Sequence, residues 1–422
     1  VITALLPPPL RRAVSPYTGI VRSLEECLAA SADPPVPRAV AEVAGLSGIG
    51  GAGRTRAEAA AAAVGEALER YSAGVVPEAR IVVDTAAGLG REAIEPERFA
   101  LFSERQYATP GFPYRRFTAT SPVPWVGGRA LADGRPAWVP AELVFLASVP
   151  GSGAPIGYAT SSGTACAASR EEAVGRGLCE LLERDAFMIA WANRLSLPRL
   201  DWASDPELAE VDRRFFAPTG LAYTAVDLSC FHRLPSVLGV VRAPRRTPGA
   251  LGVGAGTAPT VARAWWKALT EAFAARSAGA KLALLDRRDL GGAGEGIVSF
   301  EDHIRWHADH DRAAAAAFLD ASDARTPVAE VATIRGDVVG ALRARVEAAG
   351  SSAYVVDVTA PDVAELGLHV AKVVAPELCP LDVPHRARFL GGRRLYEVPV
   401  RLGLARVALA EDALNPHPHP FP

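Results

Sequence analysis

Apolar and polar positions divide this chain into short strand-like runs and longer helical segments. Runs set between Gly, Pro and Asp turns predict strands at 80–83, 125–128, 137–140, 219–228 and 235–242. Trp125, Trp138 and Phe145 lie in this strand-rich part and are expected in the core. Continuous apolar runs at 353–358 and 369–374 predict buried strands, with a short helix opening at Thr359 between them. Longer segments predict helices over 55–70, 169–184, 259–279 and 300–319, and an amphipathic stretch at 403–414. The first 45 residues are Pro-rich, with a turn into a strand at 15–21 and a short helix around 24–30. That segment is too short for a core of its own.

Two of the predicted helices carry the same sequence pattern. Thr-Arg-Ala-Glu-Ala opens one at Thr55 and Gly-Glu-Ala-Leu-Glu-Arg closes it at Arg70. Ser-Arg-Glu-Glu-Ala and Cys-Glu-Leu-Leu-Glu-Arg do the same from Ser169 to Arg184, at a constant offset of 114 (169 − 55 and 183 − 69). Each copy opens on a capping-box pattern, Thr55 with Glu58 and Ser169 with Glu172. Each then sets two carboxylates on one helix face, Glu66 with Glu69 and Glu180 with Glu183. A third, weaker copy runs from Thr260 to Glu271, where Ala274 replaces the second acid and Arg276 follows. A Gly-containing loop is expected before each helix, at 48–53, at Gly163 and at 252–256, suited to bringing N–H groups towards an anion. A single Glu-x-x-Glu-Arg is an ordinary solvated face. Two copies in register with matching caps point instead to four carboxylates facing one another. Such a set is a hard-cation site suited to Mg²⁺ with a phosphate ligand.

Composition narrows the classes. The chain is 49% apolar with net charge −2, so it lacks the basic footprint of a nucleic-acid binder. Five cysteines with no Cys-x-x-Cys argue against a disulfide framework or a zinc module and fit a reducing, cytoplasmic setting. No apolar run is long enough to span a membrane. No P-loop, nucleophile elbow or His-Glu-x-x-His occurs. A nucleotide would therefore be held through carboxylate-bound metal and not a Walker lysine.

Two further features stand out. His303, His307 and His310 share a helical face, a spacing that could hold a transition metal. With Asp302, Asp309 and Asp311 beside them, the expected reading is a polar helix flank. The chain closes on Asn-Pro-His-Pro-His-Pro-Phe-Pro, which is held near polyproline geometry. Its stiffness lowers the entropy lost on docking.

Taken together, these features resemble the YcaO family. The likeness runs from about Ser47 onward and rests on Gly51–Gly53–Thr55, the Glu-x-x-Glu-Arg helix at 66–70, Ser161-Ser162-Gly163-Thr164-Ala165, Glu180 to Ala186, Ala268-Leu269-Thr270-Glu271, Asp302-His303, and the Pro418, Pro420, Pro422 tail. It implies an α+β YcaO fold, with mixed sheets and repeated Glu-bearing helices facing a central nucleotide and metal site. The implied layout is a Pro-rich segment (1–46), a YcaO domain (47–402), and a C-terminal helix with the Pro-rich tail (403–422). It also implies an ATP- and Mg²⁺-dependent cyclodehydratase that converts Cys, Ser or Thr of a ribosomally made precursor peptide to azolines. Glu66, Glu69, Glu180 and Glu183 would hold Mg²⁺. Gly51, Gly53, Ser162, Arg184, Lys267, Glu271 and Arg276 would surround the nucleotide. Pro418, Pro420 and Pro422 would order the catalytic pocket, with Pro422 closest to the chemistry. A separate E1-like leader-binding protein is expected as partner, with a homodimer as the family's assembly.

The chain departs from the family pattern at Ala52, Ala62, Ser162, Lys267 and Ala275, each in the nucleotide region, while all four acids are present. These departures motivate an alternative, a non-catalytic YcaO-like scaffold subunit. A thioamide-forming enzyme is the other alternative, and the proline tail argues against it.

Overall fold

The computed structural model describes residues 2–30, 32–286 and 288–422. β1 (Val21–Cys27), β2 (Arg38–Val43) and β3 (Leu46–Ala52) form an antiparallel sheet. The short helix expected around 24–30 is thus a strand. Pairing of Leu24 with Ala41 and of Glu25 with Val40 overrides the local preference. This sheet also crosses the expected boundary at 46, so the N-terminal segment is built into the main body.

Helix α1 (Arg56–Gly74) lies on that sheet. The chain continues through β4 (Ile81–Asp84), β5 (Val123–Ala130), β6 (Pro136–Pro140) and β7 (Thr164–Ala167) into α2 (Arg170–Ala192). Next come β8 (Arg199–Asp201), β9 (Ala222–Asp227), β10 (Ser236–Arg242), β11 (Leu251–Thr257) and α3 (Val261–Leu285). They are followed by α4 (Phe300–Trp306), β12 (Arg325–Pro327), β13 (Tyr354–Asp357), β14 (His369–Val374) and α5 (Arg394–Arg401). A second sheet runs β4-β5-β13-β14-β7, with β6 also paired to β5. A third runs β11-β10-β9-β8-β12, where the β8–β12 pair is parallel. The class is α+β with mixed sheets. The strands predicted between 80 and 374 form with small shifts of boundary; Trp125 and Phe145 are buried, and Trp138 is only partly so.

A strand–turn–helix unit occurs three times, as β3–α1, β7–α2 and β11–α3. The expected glycine loops are largely these strands. A Cβ at Gly51 would lie 2.2 Å from Ala63 N, and one at Gly252 would lie 2.2 Å from Ala272 O. Glycine here lets strand and helix backbones touch. Helix α2 is the centre: it packs on β7 and β14 on one side and reaches β11 on another. Its apolar residues join two separate core clusters.

Two helix expectations need correction. The segment 300–319 is α4 followed by a 3-10 stretch, Arg312–Asp320. Asp309 Oδ1 accepts from the N–H groups of Asp311 and Arg312, which offers the backbone an alternative to the helix. The segment 403–414 holds only a 3-10 turn, Glu411–Ala413. The helix lies earlier, as α5, and stops at Gly403, which takes φ +71°.

Candidate active site

The three helix starts are capped as their sequences require. Thr55, Ser169 and Thr260 each accept from the N–H three residues on. Only this half of each expected capping box forms. Glu58 reaches the Arg54 N–H, and Glu172 pairs with Arg176.

The helices bring the predicted acids together. Glu183 is 1% exposed and saturated: Lys267 Nζ lies 3.0 Å from both its oxygens, the Thr257 N–H donates at 2.7 Å, and Arg184 Nη1 stands at 3.2 Å. Glu180 accepts from the Gly163 N–H and from Arg184, each at 3.0 Å. Burial would raise its carboxyl, but Arg184, Lys267 and Arg70 hold it below the usual range. Glu66 pairs with Arg70 at 3.1 Å and is half-exposed. Glu69 is different. Its nearest cation is Arg70 Nε at 3.8 Å. Burial, then Glu180 and Glu66, push its carboxyl well above the usual range. Burial likewise raises Glu271, 3.6 Å from Lys267, to about 7.

A family model described as YcaO cyclodehydratase, ATP- and Mg²⁺-binding, matches residues 50–379. The chain belongs to the YcaO family. An uncharacterized protein of Methanothermobacter thermautotrophicus is 30% identical over 243 residues, 57% of this chain and 60% of that one. An uncharacterized protein in the tfuA 3' region of Rhizobium leguminosarum bv. trifolii is 31% identical over 166 residues, 37% of this chain and 39% of that one. This YcaO chain thus spans 60% or less of either curated relative. Among solved structures, a heterocyclase in complex with substrate and cofactor matches with TM-score 0.80 and 26% identity, over 97% of this chain and 56% of that one. The heterocyclase TruD matches with TM-score 0.66 and 27% identity, over 85% and 50%. The YcaO protein of Methanopyrus kandleri bound with AMPPCP and Mg²⁺ shares the fold, with TM-score 0.60 and 22% identity over 85% and 86%.

The residues present fit the Mg²⁺ of this YcaO family. The donors are carboxylate oxygens, the set a hard cation takes. Glu69 has its charge opposed by Glu180 and Glu66, which a cation between the helices relieves. Glu183 stands apart, because a metal there would first have to displace Lys267.

Other expected site residues fall in several places. Lys267, Glu271, Ser162 and Arg184 border the acids. Gly53, like Gly51, is occupied by packing: a Cβ there would meet Glu58 Cβ at 2.4 Å. Arg276 is a correction. It is buried against Asp33 at 3.1 Å and the Pro248 carbonyl, so it serves the N-terminal segment and not the carboxylates. Lys372 was missed. It is buried, donates to the carbonyls of Thr160 and Ser162 at 2.6 and 2.7 Å, and feels Glu180 and Glu69. Burial brings its ammonium down to about 8. The signal available was its place in an apolar strand, where an unpaired lysine is costly.

The tail is docked along α2 and α4. Trp191 Nε1 donates to the His417 carbonyl at 3.2 Å. His307 Nε2 meets the Pro418 carbonyl at 2.7 Å, and His303 Nδ1 meets the His419 carbonyl at 2.8 Å. The polar flank expected for these histidines is therefore a buried anchor, and His310 faces the Thr247 carbonyl. The His419 ring stacks on His303 with centroids 3.9 Å apart. Its Nδ1 accepts from the Phe421 N–H, which leaves Nε2–H to donate to the Asp382 carbonyl. Phe421 is fully buried, and the Arg184 guanidinium stands 4.2 Å from its ring centre. Arg184 thus joins the tail to Glu180 and Glu183. Pro418 and Pro420 are buried within this run.

Proposed function

We propose that this YcaO chain uses ATP to convert a Cys, Ser or Thr residue of a ribosomally made precursor peptide to an azoline. The thiol or hydroxyl attacks the preceding amide carbon and gives up its proton. The resulting oxyanion takes the γ-phosphoryl group of ATP, leaving ADP. The amide nitrogen loses its proton, the C–O bond breaks, and phosphate departs with the former amide oxygen. Mg²⁺, when bound, neutralises phosphate charge. Glu66, Glu69 and Glu180 would hold it. Glu183 positions Lys267, and Arg184 carries the link to the tail.

The observation that carries this reading is the docked tail, with Phe421 on the same Arg184 that pairs with Glu180. The family pattern ties such a tail to azoline formation, with Pro418, Pro420 and Pro422 ordering the pocket. By the same pattern, the working assembly includes an E1-like protein that grips the leader peptide, and the chain is a homodimer.

The test is calorimetric titration with a non-hydrolysable ATP analogue and Mg²⁺. Micromolar binding in the wild-type chain, lost in Glu69→Gln, is expected. Equal affinity in both would overturn the metal assignment, and no binding by a folded wild-type chain would favour a scaffold. Removing 418–422 is expected to abolish azoline formation while nucleotide binding persists.

A further inference from the structure

A cavity of about 100 Å³ opens beside the acids, along the face of α2 that carries Leu181. One side of it is apolar, made by Leu101, Leu143, Tyr158 and Phe389. The other is polar, made by Ser162, Arg184 and Lys372. These polar residues belong to the candidate site: Arg184 donates to Glu180, and Lys372 holds the Ser162 carbonyl. Cavity and site therefore share a wall.

The apolar side is pre-built. The Tyr158 and Phe389 rings stack with centroids 4.5 Å apart. Tyr158 Oη donates to the Ala387 carbonyl and accepts from the Val383 N–H. A ligand entering here does not bear the cost of ordering these rings.

Size limits the occupant. Sites for whole small molecules enclose roughly 300–1,000 Å³. This cavity is too small for a nucleoside and suits a single aliphatic side chain. Charge limits it further. Arg184 is paired with Glu180 and Glu183, and Lys372 with two carbonyls. A cationic side chain would lose its water beside these two cations.

We propose that this cavity receives the side chain of the peptide residue immediately before the reacting Cys, Ser or Thr, and selects a small or medium aliphatic group there. The inference rests on the cyclodehydratase reading above. The attacked carbonyl belongs to that preceding residue, and its side chain hangs from the neighbouring carbon. With the carbonyl oxygen turned towards the acids, the side chain reaches the shared wall.

Two measurements test this. The first uses the full chain with Mg²⁺, a non-hydrolysable ATP analogue and a peptide carrying photo-leucine before its Cys. Irradiation is expected to cross-link Leu101, Leu143 or Phe389, as mapped by mass spectrometry. Absence of a cross-link to any cavity residue overturns the proposal. This readout does not need turnover, so a cross-link here together with no azoline in a parallel reaction supplied with ATP and the leader-binding partner would break the cyclodehydratase reading and leave the cavity's occupant standing. The second is competition between peptides with Val, Gly, Trp or Lys before the Cys. Val is expected to exceed Trp and Lys in kcat/KM by about tenfold or more, the usual discrimination of an apolar pocket. Leu143→Phe, which narrows the cavity, should lower the Val-to-Gly ratio by about tenfold. An unchanged ratio overturns the proposal.

Discussion

Helices α1 and α2 carry the same acidic pattern but hold it in different surroundings. Glu69 and Glu183 occupy equivalent positions, yet Glu69 is 15% exposed and Glu183 only 1%. The order is kept at the other pair, with Glu66 at 43% and Glu180 at 21%. The more buried copy is also the better compensated. Lys267, Arg184 and the Thr257 N–H surround Glu183, whereas Glu69 has Arg70 at 3.8 Å and two acids nearby. Repetition supplies oxygen donors to both sides of the site. Position in the fold decides which donors are structural and which are left for a cation.

The next residue in register sharpens the contrast. Asp185 stands where α1 has Tyr71 (185 − 114). Asp185 is fully buried, takes two bonds from Arg394 at 2.9 and 2.6 Å, and lies 2.9 Å from His232. Tyr71 donates to Asp362 at 2.7 Å near the surface. Asp185→Ala should cost about 3–5 kcal/mol in urea unfolding, because it strands Arg394 in the core. A loss below about 1 kcal/mol would break the claim that α2 is wired into the centre.

Exchange of the paired acids comes next. Glu183→Gln should destabilise by about 1–3 kcal/mol, since Lys267 and Arg184 lose a charged partner. Glu69→Gln should leave the metal-free unfolding midpoint unchanged or raise it, because it removes repulsion. Equal losses in the two variants would erase the distinction between them.

The pH dependence follows from the same asymmetry. Glu271 is raised from 4.5 to about 7, and Glu69 is raised well above the usual range. In the window between 4.5 and about 7 these two carboxyls hold more protons in the folded chain than in the unfolded chain, so their share of the metal-free stability falls as pH rises through it. Burial lowers the imidazoles of His303, His307 and His385, which act in the opposite sense over the same window, so Glu271→Gln should steepen the rise of stability with pH. A cation at Glu69 needs the deprotonated form, so Mg²⁺ binding should strengthen over the same rise and release protons. Titration in buffers of different ionisation enthalpy checks this. Pairing Glu271→Gln with it separates the two carboxyls, since the proton release that survives belongs to Glu69. The smallest effect is expected at the surface, where Tyr71→Phe should cost less than about 1 kcal/mol.

Much of the site was legible as local pattern. Caps, helix faces and acid spacing depend on neighbours three and four residues apart, and those relations are written along the chain. So were the strands at 353–358 and 369–374, whose apolar runs admit few other readings. What stayed hidden depends on distant partners. The run around Leu24 became a strand because β2 lies beside it, and Arg276 turned to Asp33, which is 243 residues away in the chain. The glycines before each helix read as anion loops, but the fold uses Gly51 and Gly252 to press strand on helix.

By itself, the sequence determined that two acidic helices would recur in register, that their acids would share faces, and that the tail would be stiff. Tertiary structure decided which acid would be neutralised, because Lys267 and the Thr257 N–H arrive from another element. It decided that His303 and His307 would face backbone carbonyls of the tail. It also brought Lys372 and, through Arg184, Phe421 to the acidic cluster. Charge compensation and burial are sums over everything nearby in space, and a linear pattern records only what is nearby along the chain.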